Sequence, residues 1–325
     1  MAGNKNLHQA RTGKTDEFYT QLSTIEDELR HYRQHLKDKI IFCNADDPAY
    51  GEDGHDQFGD GLGGYTSNFF RYFQLNFKQL GIKKLIATHF DPNKPTYKVE
   101  LEATRDKDGN ITTPDIVKTP LKQNGDFRSP ESLALLEECD IVVTNPPFSL
   151  MKEYLPLLVS SGKQFLILGN TNHITLKECR PFFLDGACWL GHNAGHFWFK
   201  VPDYYENKDT DFKFDETGQK WRRMGNSCWF TNIDIPKRHQ PLDLFAKYDP
   251  DKYPKYDDVA DAIECSLCKD IPKDYFGVIG VPISYLAYHC AEQFKILGLV
   301  TPTVDGRTKY KRLLIQRVQD EKVGV

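Results

Sequence analysis

No stretch of the 325 residues is apolar for long enough to cross a bilayer; the longest apolar runs, such as Phe165-Leu166-Ile167-Leu168, are strand-sized. With a mean hydropathy of −0.56, the expectation is a soluble chain with no membrane partner. Residues 1–14 are polar and basic and lack the apolar segment of a secretory signal, so the expected location is cytoplasmic. Internal repeats and low-complexity tracts are missing, which excludes solenoid and fibrous architectures. A matched set of cysteine ligands is missing too. The eight cysteines are scattered, and the one close pair, Cys265 and Cys268, would need His289 and Cys290 to fold back on it to hold zinc. Free thiols and no metal are therefore expected. Nor is there a surplus of positive charge: the net charge is −4, so any nucleic-acid partner must meet a local basic surface and not a basic chain. Such clusters exist at Lys5, Arg11 and Lys14, at Trp221-Arg222-Arg223, and over residues 307–312. Finally, no Gly-x-Gly loop follows the first expected strand, and Gly61, Gly63 and Gly64 lie too far downstream to replace it. That argues against a dinucleotide.

What is present is an alternation of short apolar strands with helices, and 39% hydrophobic residues are enough for a substantial core. Leu22, Ile25, Leu29, Tyr32 and Leu36 recur at helical spacing over residues 16–37, as do Phe69, Phe70, Phe73, Phe77 and Leu80 over 67–80. Short strands are expected at 39–43, 84–88, 140–144 and 164–168, with helices at 132–139 and 150–159 between them. The pattern predicts a doubly wound, mostly parallel sheet. Residues 93–125 are polar with Asp-Gly-Asn and Asn-Gly turn signals and read as a hairpin or surface insertion. Residues 188–190 and 227–231 look like further strands, and from 236 onward a less regular lobe is expected.

In an open parallel sheet, ligands gather at the carboxyl ends of the strands. Three segments put polar residues there: 44–48, Asp91, and Asn145-Pro146-Pro147-Phe148. Prolines end strands, so the last is also what a plain turn looks like. Its chemistry nevertheless suits alkylation of an amino group whose lone pair is delocalised into a ring. The Asn145 carboxamide and the Pro146 carbonyl can accept the two amino N–H groups, the prolines add no competing donor, and Phe148 offers a face for an extruded base. The acidic strand ends suit a sulfonium cofactor, S-adenosylmethionine. Asp91 is placed to accept from ribose hydroxyls, Asp126 from the adenine amino group with Phe127 against the ring, and Asn44, Asp46 and Asp47 around the methionine end. The residues alone leave open an RNA adenine, a protein glutamine, or a non-catalytic DNA-binding scaffold.

A set of longer segments narrows this. Asp16-Glu17-Phe18-Tyr19-Thr20-Gln21, Cys43-Asn44-Ala45-Asp46-Asp47-Pro48, Ser67-Asn68-Phe69-Phe70 and Gly125-Asp126-Phe127-Arg128-Ser129 are four of them. Residues 140–149 around the Asn-Pro-Pro-Phe motif, Tyr253-Pro254-Lys255-Tyr256-Asp257, Lys269-Asp270-Ile271-Pro272 and residues 277–283 complete the set. Together they resemble the EcoRI-type adenine-specific DNA methyltransferases over nearly the full length. The resemblance implies a Rossmann-like fold and methyl transfer from S-adenosylmethionine to the exocyclic amine of adenine in double-stranded DNA, with GAATTC as the namesake site. It also implies a restriction endonuclease as a functional, not physical, partner. Phe18, Tyr19 and Thr20 are implied to close over the cofactor, and Asn145, Pro146, Pro147 and Phe148 to be catalytic. The expected domains are 1–235 for cofactor and catalysis and 236–325 for target recognition, with 191–227 contributing to the latter. Against the family pattern, residues 51–64, rich in glycine and aspartate, and the polar stretch 98–122 look like insertions. Arg222, Arg223, Lys309, Lys311 and Arg312 are the candidate DNA contacts. His173 and Asn193 are candidates for the target site, or else for holding polar turns.

Overall fold

The computed structural model describes residues 20–318 except 45, 47–66, 94, 113–114, 195–196 and 201–211. These residues divide into two compact units: those up to Cys179 with Asn193–Ile233, and Arg180–His192 with those from Asp234 on.

In the first unit, the apolar stripe predicted over 16–37 breaks into a helix α1 (Leu22–Leu29) and a single turn α2 (Arg33–Leu36). Ile25, Leu29, Tyr32 and Leu36 are buried as the spacing requires. The same face also buries Glu28, whose carboxylate accepts from the Tyr32 hydroxyl at 2.9 Å. Strand β1 (Ile40–Cys43) follows. Helix α3 (Asn68–Leu80) begins where Ser67 accepts a hydrogen bond from the Phe70 N–H at 3.1 Å, an N-cap, and it stops at Gly81 in the left-handed conformation. Strand β2 (Lys84–Thr88) leads into the stretch expected to be a hairpin or a surface insertion. It forms the hairpin alternative, β3 (Tyr97–Glu102) and β4 (Val117–Pro120), with β3 antiparallel to β2 and β4 antiparallel to β3. The stretch is polar because an antiparallel strand needs only one apolar face: on β3, Val99 and Leu101 are buried, while Lys84 and Lys98 each hold Glu100 at 2.8 Å.

Helix α4 (Pro130–Glu138) starts two residues earlier than the pattern indicates, because Ser129 caps it and Pro130 suits the first turn. Strand β5 (Ile141–Thr144), helix α5 (Met151–Ser161) and strand β6 (Gln164–Asn170) follow, then the short helix α6 (Arg180–Leu184). Strand β7 (Trp189–Ala194) carries the boundary between the two units. Strands β8 (Phe197–Lys200), β9 (Phe212–Phe214) and β10 (Lys220–Met224) form a small antiparallel sheet of their own. Strand β11 (Ser227–Thr231) returns to the large sheet antiparallel to β6. The large sheet runs β4-β3-β2-β1-β5-β6-β11-β7. It is mixed: β2, β1, β5 and β6 are mutually parallel and antiparallel strands flank them. The parallel core sets the carboxyl ends of β1, β2 and β5 side by side.

The C-terminal unit is more regular than the sequence indicates. Strands β12 (Ala262–Glu264), β13 (Val278–Pro282) and β14 (Phe294–Val300), a two-stranded hairpin of β15 (Thr303–Val304) and β16 (Arg307–Thr308), and β17 (Arg312–Arg317) follow in order. Four of them pair as β12-β13-β17-β14. Arg312, expected to reach DNA phosphate, is buried here. Its guanidinium holds the Glu264 carboxylate at 2.8 Å, and Glu264 also accepts from Tyr256 at 2.6 Å and Ser266 at 2.8 Å. Burial alone raises the Glu264 carboxyl, but the donors from Arg312, Tyr256 and Ser266 together hold it below its usual range. The Tyr256 hydroxyl reaches that carboxylate across Gly280, where a Cβ would stand 1.8 Å from it. The assignment of Arg312 to DNA is therefore corrected. It neutralises a buried acid. Removing it in an Arg312→Met variant should cost about 3–5 kcal/mol in urea denaturation, since a charge is left buried and unpaired. Adding Glu264→Leu should restore most of that loss.

Candidate active site

Asn44, the residue after β1, is the hinge of the strand-end cluster. Its backbone carbonyl accepts from the Thr144 hydroxyl at 2.6 Å, and its side-chain oxygen accepts from the Thr88 hydroxyl at 3.2 Å. The last residues of β5 and β2 thus hold the turn after β1 from both sides. Beside it, Asp46 is buried and accepts a hydrogen bond from the hydroxyl of Ser67, the same residue that caps α3. Asn68 donates to the Thr20 carbonyl at 2.8 Å, which carries the chain before α1 into the cluster. The Thr20 hydroxyl is buried there with no hydrogen-bond partner among the described residues. An orphaned buried hydroxyl, on a residue whose carbonyl is held by Asn68 next to Ser67, is the chemistry expected where a polar ligand completes the site. Phe18, Tyr19 and Asp47 lie outside the described residues. Sequence reasoning misses Ser67, Thr88 and Thr144. Ser67 before an amphipathic helix is a readable cap, and a threonine closing each strand beside β1 is a weaker signal.

At the end of β5, Asn145-Pro146-Pro147-Phe148 turns the chain into a short 3-10 turn, with the Pro147 carbonyl accepting from the Leu150 N–H at 2.9 Å. Phe148 is half-buried and meets the His173 ring edge-on, centroids 5.3 Å apart. His173 meets Phe230 in turn at 6.3 Å. Phe230 lies over Gly169, where a Cβ would come within 2.4 Å of the ring. His173 is fixed by a capping box: Asn170 accepts from the Asn172 N–H, and His173 Nδ1 accepts from the Asn170 N–H at 3.1 Å. His173 thus closes a polar turn, and its ring also backs Phe148.

Gly125, at φ +77°, presses against the strand end after β2; a Cβ there would fall 2.0 Å from the His89 carbonyl. The approach lets the Asp91 N–H donate to the Asn124 carbonyl at 3.0 Å, so Asp91 and Asp126 share one edge of the cluster. Asp126 already has a partner. Arg128 donates through its backbone N–H, Nε and Nη2 at 2.8, 2.9 and 2.7 Å, and these bonds hold the carboxyl below its usual range. An ionised carboxylate has about four acceptor positions, so one remains for a ligand. Phe127 does not stand open to an adenine ring: it is 4% exposed, edge-on to Tyr154 at 5.0 Å, with the Arg128 guanidinium 4.9 Å above it.

The other candidates disperse. Asn193 is structural, donating through backbone and side-chain nitrogens to Glu28 Oε2 at 2.8 and 2.9 Å. Arg222 and Arg223 lie on β10, opposite Phe199 and Trp198, and are partly exposed. Lys309 is partly exposed and Lys311 exposed in the C-terminal unit. All eight cysteines are free thiols. Cys265, Cys268, His289 and Cys290 do not form a metal-holding group, nor does any cluster among the described residues. Among the described residues no helix is long and apolar enough to cross a membrane. A cavity of about 380 Å3 lies in the C-terminal unit between Phe183, Trp189, Ile235 and Phe294; His289 is on its wall, and none of the strand-end residues lines it.

Burial lowers the His173 imidazole to about 4. The folded chain therefore keeps it neutral where the unfolded chain, titrating near 6.5, takes up a proton. Its contribution to stability is complete above pH 6.5 and is lost as pH falls towards 4. Between pH 7 and pH 5 the urea midpoint should drop more for the native chain than for His173→Gln; equal drops would contradict this.

Comparison with known proteins agrees with this geometry. The family described as "Adenine-specific methyltransferase EcoRI" matches residues 6–323. The "Type II methyltransferase M.EcoRI" of Escherichia coli is 40% identical over 339 aligned residues, covering 99% of each chain. The "Type II methyltransferase M.MgeORF184P" of Mycoplasma genitalium is 32% identical over 97% of this chain and 99% of its own. The "Type II methyltransferase M.MpnI" of Mycoplasma pneumoniae is 35% identical over 90% and 84%. No solved structure gives a significant match. Because the match spans almost the whole chain and includes the turn after β5 with the strand ends beside it, the chain belongs to the EcoRI family of adenine-specific methyltransferases.

Proposed function

We propose that this chain is a type II DNA methyltransferase that modifies the exocyclic amino group of adenine in double-stranded DNA, with GAATTC as its target. A restriction endonuclease of the same specificity is then its functional partner. The observation that carries the reading is the Asn145-Pro146-Pro147-Phe148 turn at the carboxyl end of β5, beside the Asn44 turn of β1. The large mixed sheet serves as a Rossmann-like core. The unit from residue 234 on, together with residues 180–192, serves as the target-recognition region.

Residues 20, 44 and 46 offer polar atoms for the methionine end of S-adenosylmethionine, Asp91 for its ribose hydroxyls, and the remaining acceptor position of Asp126 for its adenine. Asp47 joins the methionine-end set by its position in the sequence after β1, and Phe18 and Tyr19 join by resemblance. When bound, S-adenosylmethionine supplies an electrophilic methyl on sulfur, taken directly by the adenine nitrogen with no covalent enzyme intermediate. The target base must first leave the duplex, since its amino group is otherwise inaccessible to such a site. Phe148, braced by His173, offers the face on which it stacks. The Asn145 carboxamide oxygen and the Pro146 carbonyl accept its two N–H groups, drawing the lone pair out of conjugation and fixing its direction. The proton on the methylated nitrogen is acidic, so no strong base is needed. Alignment of two bound reactants supplies much of the rate enhancement. Arg222, Arg223, Lys309 and Lys311 contact phosphates.

Asn145→Ala should abolish methylation of a GAATTC duplex while S-adenosylmethionine still binds in calorimetry. Near-normal methylation by that variant would refute the mechanism. In the native chain, labelled methyl should appear at N6 of an adenine in GAATTC duplexes and not in scrambled ones; methyl found in RNA or protein instead would reassign the substrate. Arg222→Gln with Arg223→Gln should lower the slope of log affinity against log salt by about 2, one for each cation withdrawn from the phosphates.

A further inference from the structure

Tyr310 combines two properties that seldom occur together: its side chain stands almost free of the protein, and the backbone on either side of it is pinned. It is 89% exposed. On its N-terminal side, β15 and β16 pair antiparallel, Thr303 opposite Thr308 and Val304 opposite Arg307. Asp305 and Gly306, at φ 49° and 70°, form the tight turn between them. Consecutive positive φ values are those of a type I′ hairpin, for which Asp-Gly is a favoured pair. Val304 is plugged into a small core with Tyr256 and Ala262. Asp257 Oδ2 accepts from the Gly306 N–H at 2.9 Å, Asp258 Oδ1 accepts from the Thr303 N–H at 2.9 Å, and the Asp257 N–H donates to the Thr303 carbonyl at 2.8 Å. The Lys309 N–H donates to the Pro302 carbonyl at 2.8 Å, and Arg312, two residues beyond Tyr310, is locked to Glu264. The Tyr253-Pro254-Lys255-Tyr256-Asp257 segment has no part in the strand-end site. It supplies three of these anchors: the Asp257 carboxylate, the Asp257 N–H, and Tyr256 against Val304.

A large aromatic side chain left in water forgoes the burial that would stabilise it by a few kcal/mol. The exposed residues flanking it along the chain are Arg307, Thr308 and Lys311, with Lys309 partly exposed. The exposed acids beside the hairpin, Asp257 and Asp258, are engaged with the backbone N–H groups of Gly306 and Thr303, so the segment 307–311 itself carries only cations. A partner for such a tip must present negative charge and a flat apolar face within a few ångströms of each other. A nucleic acid does so wherever a base is unstacked, with phosphates for the cations and the freed base face for the ring.

We propose that residues 307–311 form a rigid DNA-contacting finger, in which Tyr310 packs its ring on an unstacked base of the bound target DNA while Arg307, Lys309 and Lys311 bear on the flanking phosphates. The finger rests on the phosphate contacts proposed above for Lys309 and Lys311 and adds a base contact to them. Asp257 and Asp258 are positioning residues: they hold the finger's backbone and do not touch DNA. A stacked ring and a phosphate-bound cation respond differently to salt, because only the cation releases counterions.

The test is fluorescence anisotropy of the full chain with a labelled GAATTC duplex, read as affinity against salt concentration. Tyr310→Ala should weaken binding about tenfold at every salt concentration with the slope unchanged, the scale of one base–aromatic stack. Tyr310→Phe should bind like the native chain. Lys309→Gln with Lys311→Gln should make the slope shallower by about 2. Asp257→Ala should give part of the Tyr310→Ala loss, with faster amide exchange at Gly306. Native affinity in Tyr310→Ala overturns the proposal, and so does a Tyr310→Ala loss that comes with a shallower slope or with a changed oligomeric state. The assay measures binding alone, so absent methylation with these responses intact would count against the active-site assignment and not against the finger.

Discussion

The structure turns on the tie between three strand ends. Asn44 accepts from Thr144 through its backbone and from Thr88 through its side chain, so the turns after β1, β2 and β5 cannot move independently. Both hydroxyl donors are buried, and a buried hydroxyl left unpaired costs about 1–3 kcal/mol, which makes the arrangement all-or-none. Parallel pairing alone would align the strands without settling where their ends point. With the ends tied, the cluster around Asn44, Asp46 and Thr20 and the turn at Asn145 are held at one fixed spacing. Two reactants brought to adjacent strand ends need just that, since small displacements cost rate steeply.

A second, apolar support stands behind Phe148. Gly169 lets the Phe230 ring lie flat on β6, Phe230 meets His173, and His173 meets Phe148. Edge-to-face pairs of this kind add about 0.5–1.5 kcal/mol each beyond the area they bury. Their value here is more geometric than energetic, because each ring restricts the next. A neutral imidazole is the right middle member. Its Nδ1 accepts a backbone N–H, and its low pKa keeps a charge from arising behind the face where a base would stack.

The Asn-Pro-Pro-Phe tetrapeptide and the strands around it are legible in the sequence because they obey local rules: apolar runs of four or five residues, prolines at a strand end, a helical stripe of phenylalanines. The pair β3–β4 is legible only as a hairpin or a surface insertion, because a strand with Lys98 and Glu100 on one face does not declare its pairing with β2. Phe127 and Asp126 are recognisable as a pair by their motif, yet their partners Tyr154 and Arg128 come from tertiary packing or from a side-chain conformation that composition does not encode. Threonines 88 and 144 escape for the same reason, since each is ordinary as a strand residue and becomes informative only when both reach one asparagine.

Charge misleads in sequence whenever pairing is out of sight, and residues 307–312 show how. Read as a string they are one basic cluster, yet the structure separates them by what lies beneath. Arg312 alternates inward on β17, meets Glu264 and is spent neutralising it. Arg307 and Lys311 remain at the surface, on a backbone that the same buried pair helps to hold. A salt bridge buried this deeply contributes little net stability over an apolar pair of the same size. What it offers instead is a fixed point: removing either charge strands the other, so the end of the hairpin cannot drift to a new register at low cost. The acid that takes Arg312 out of reach of DNA thus keeps its exposed neighbours in place.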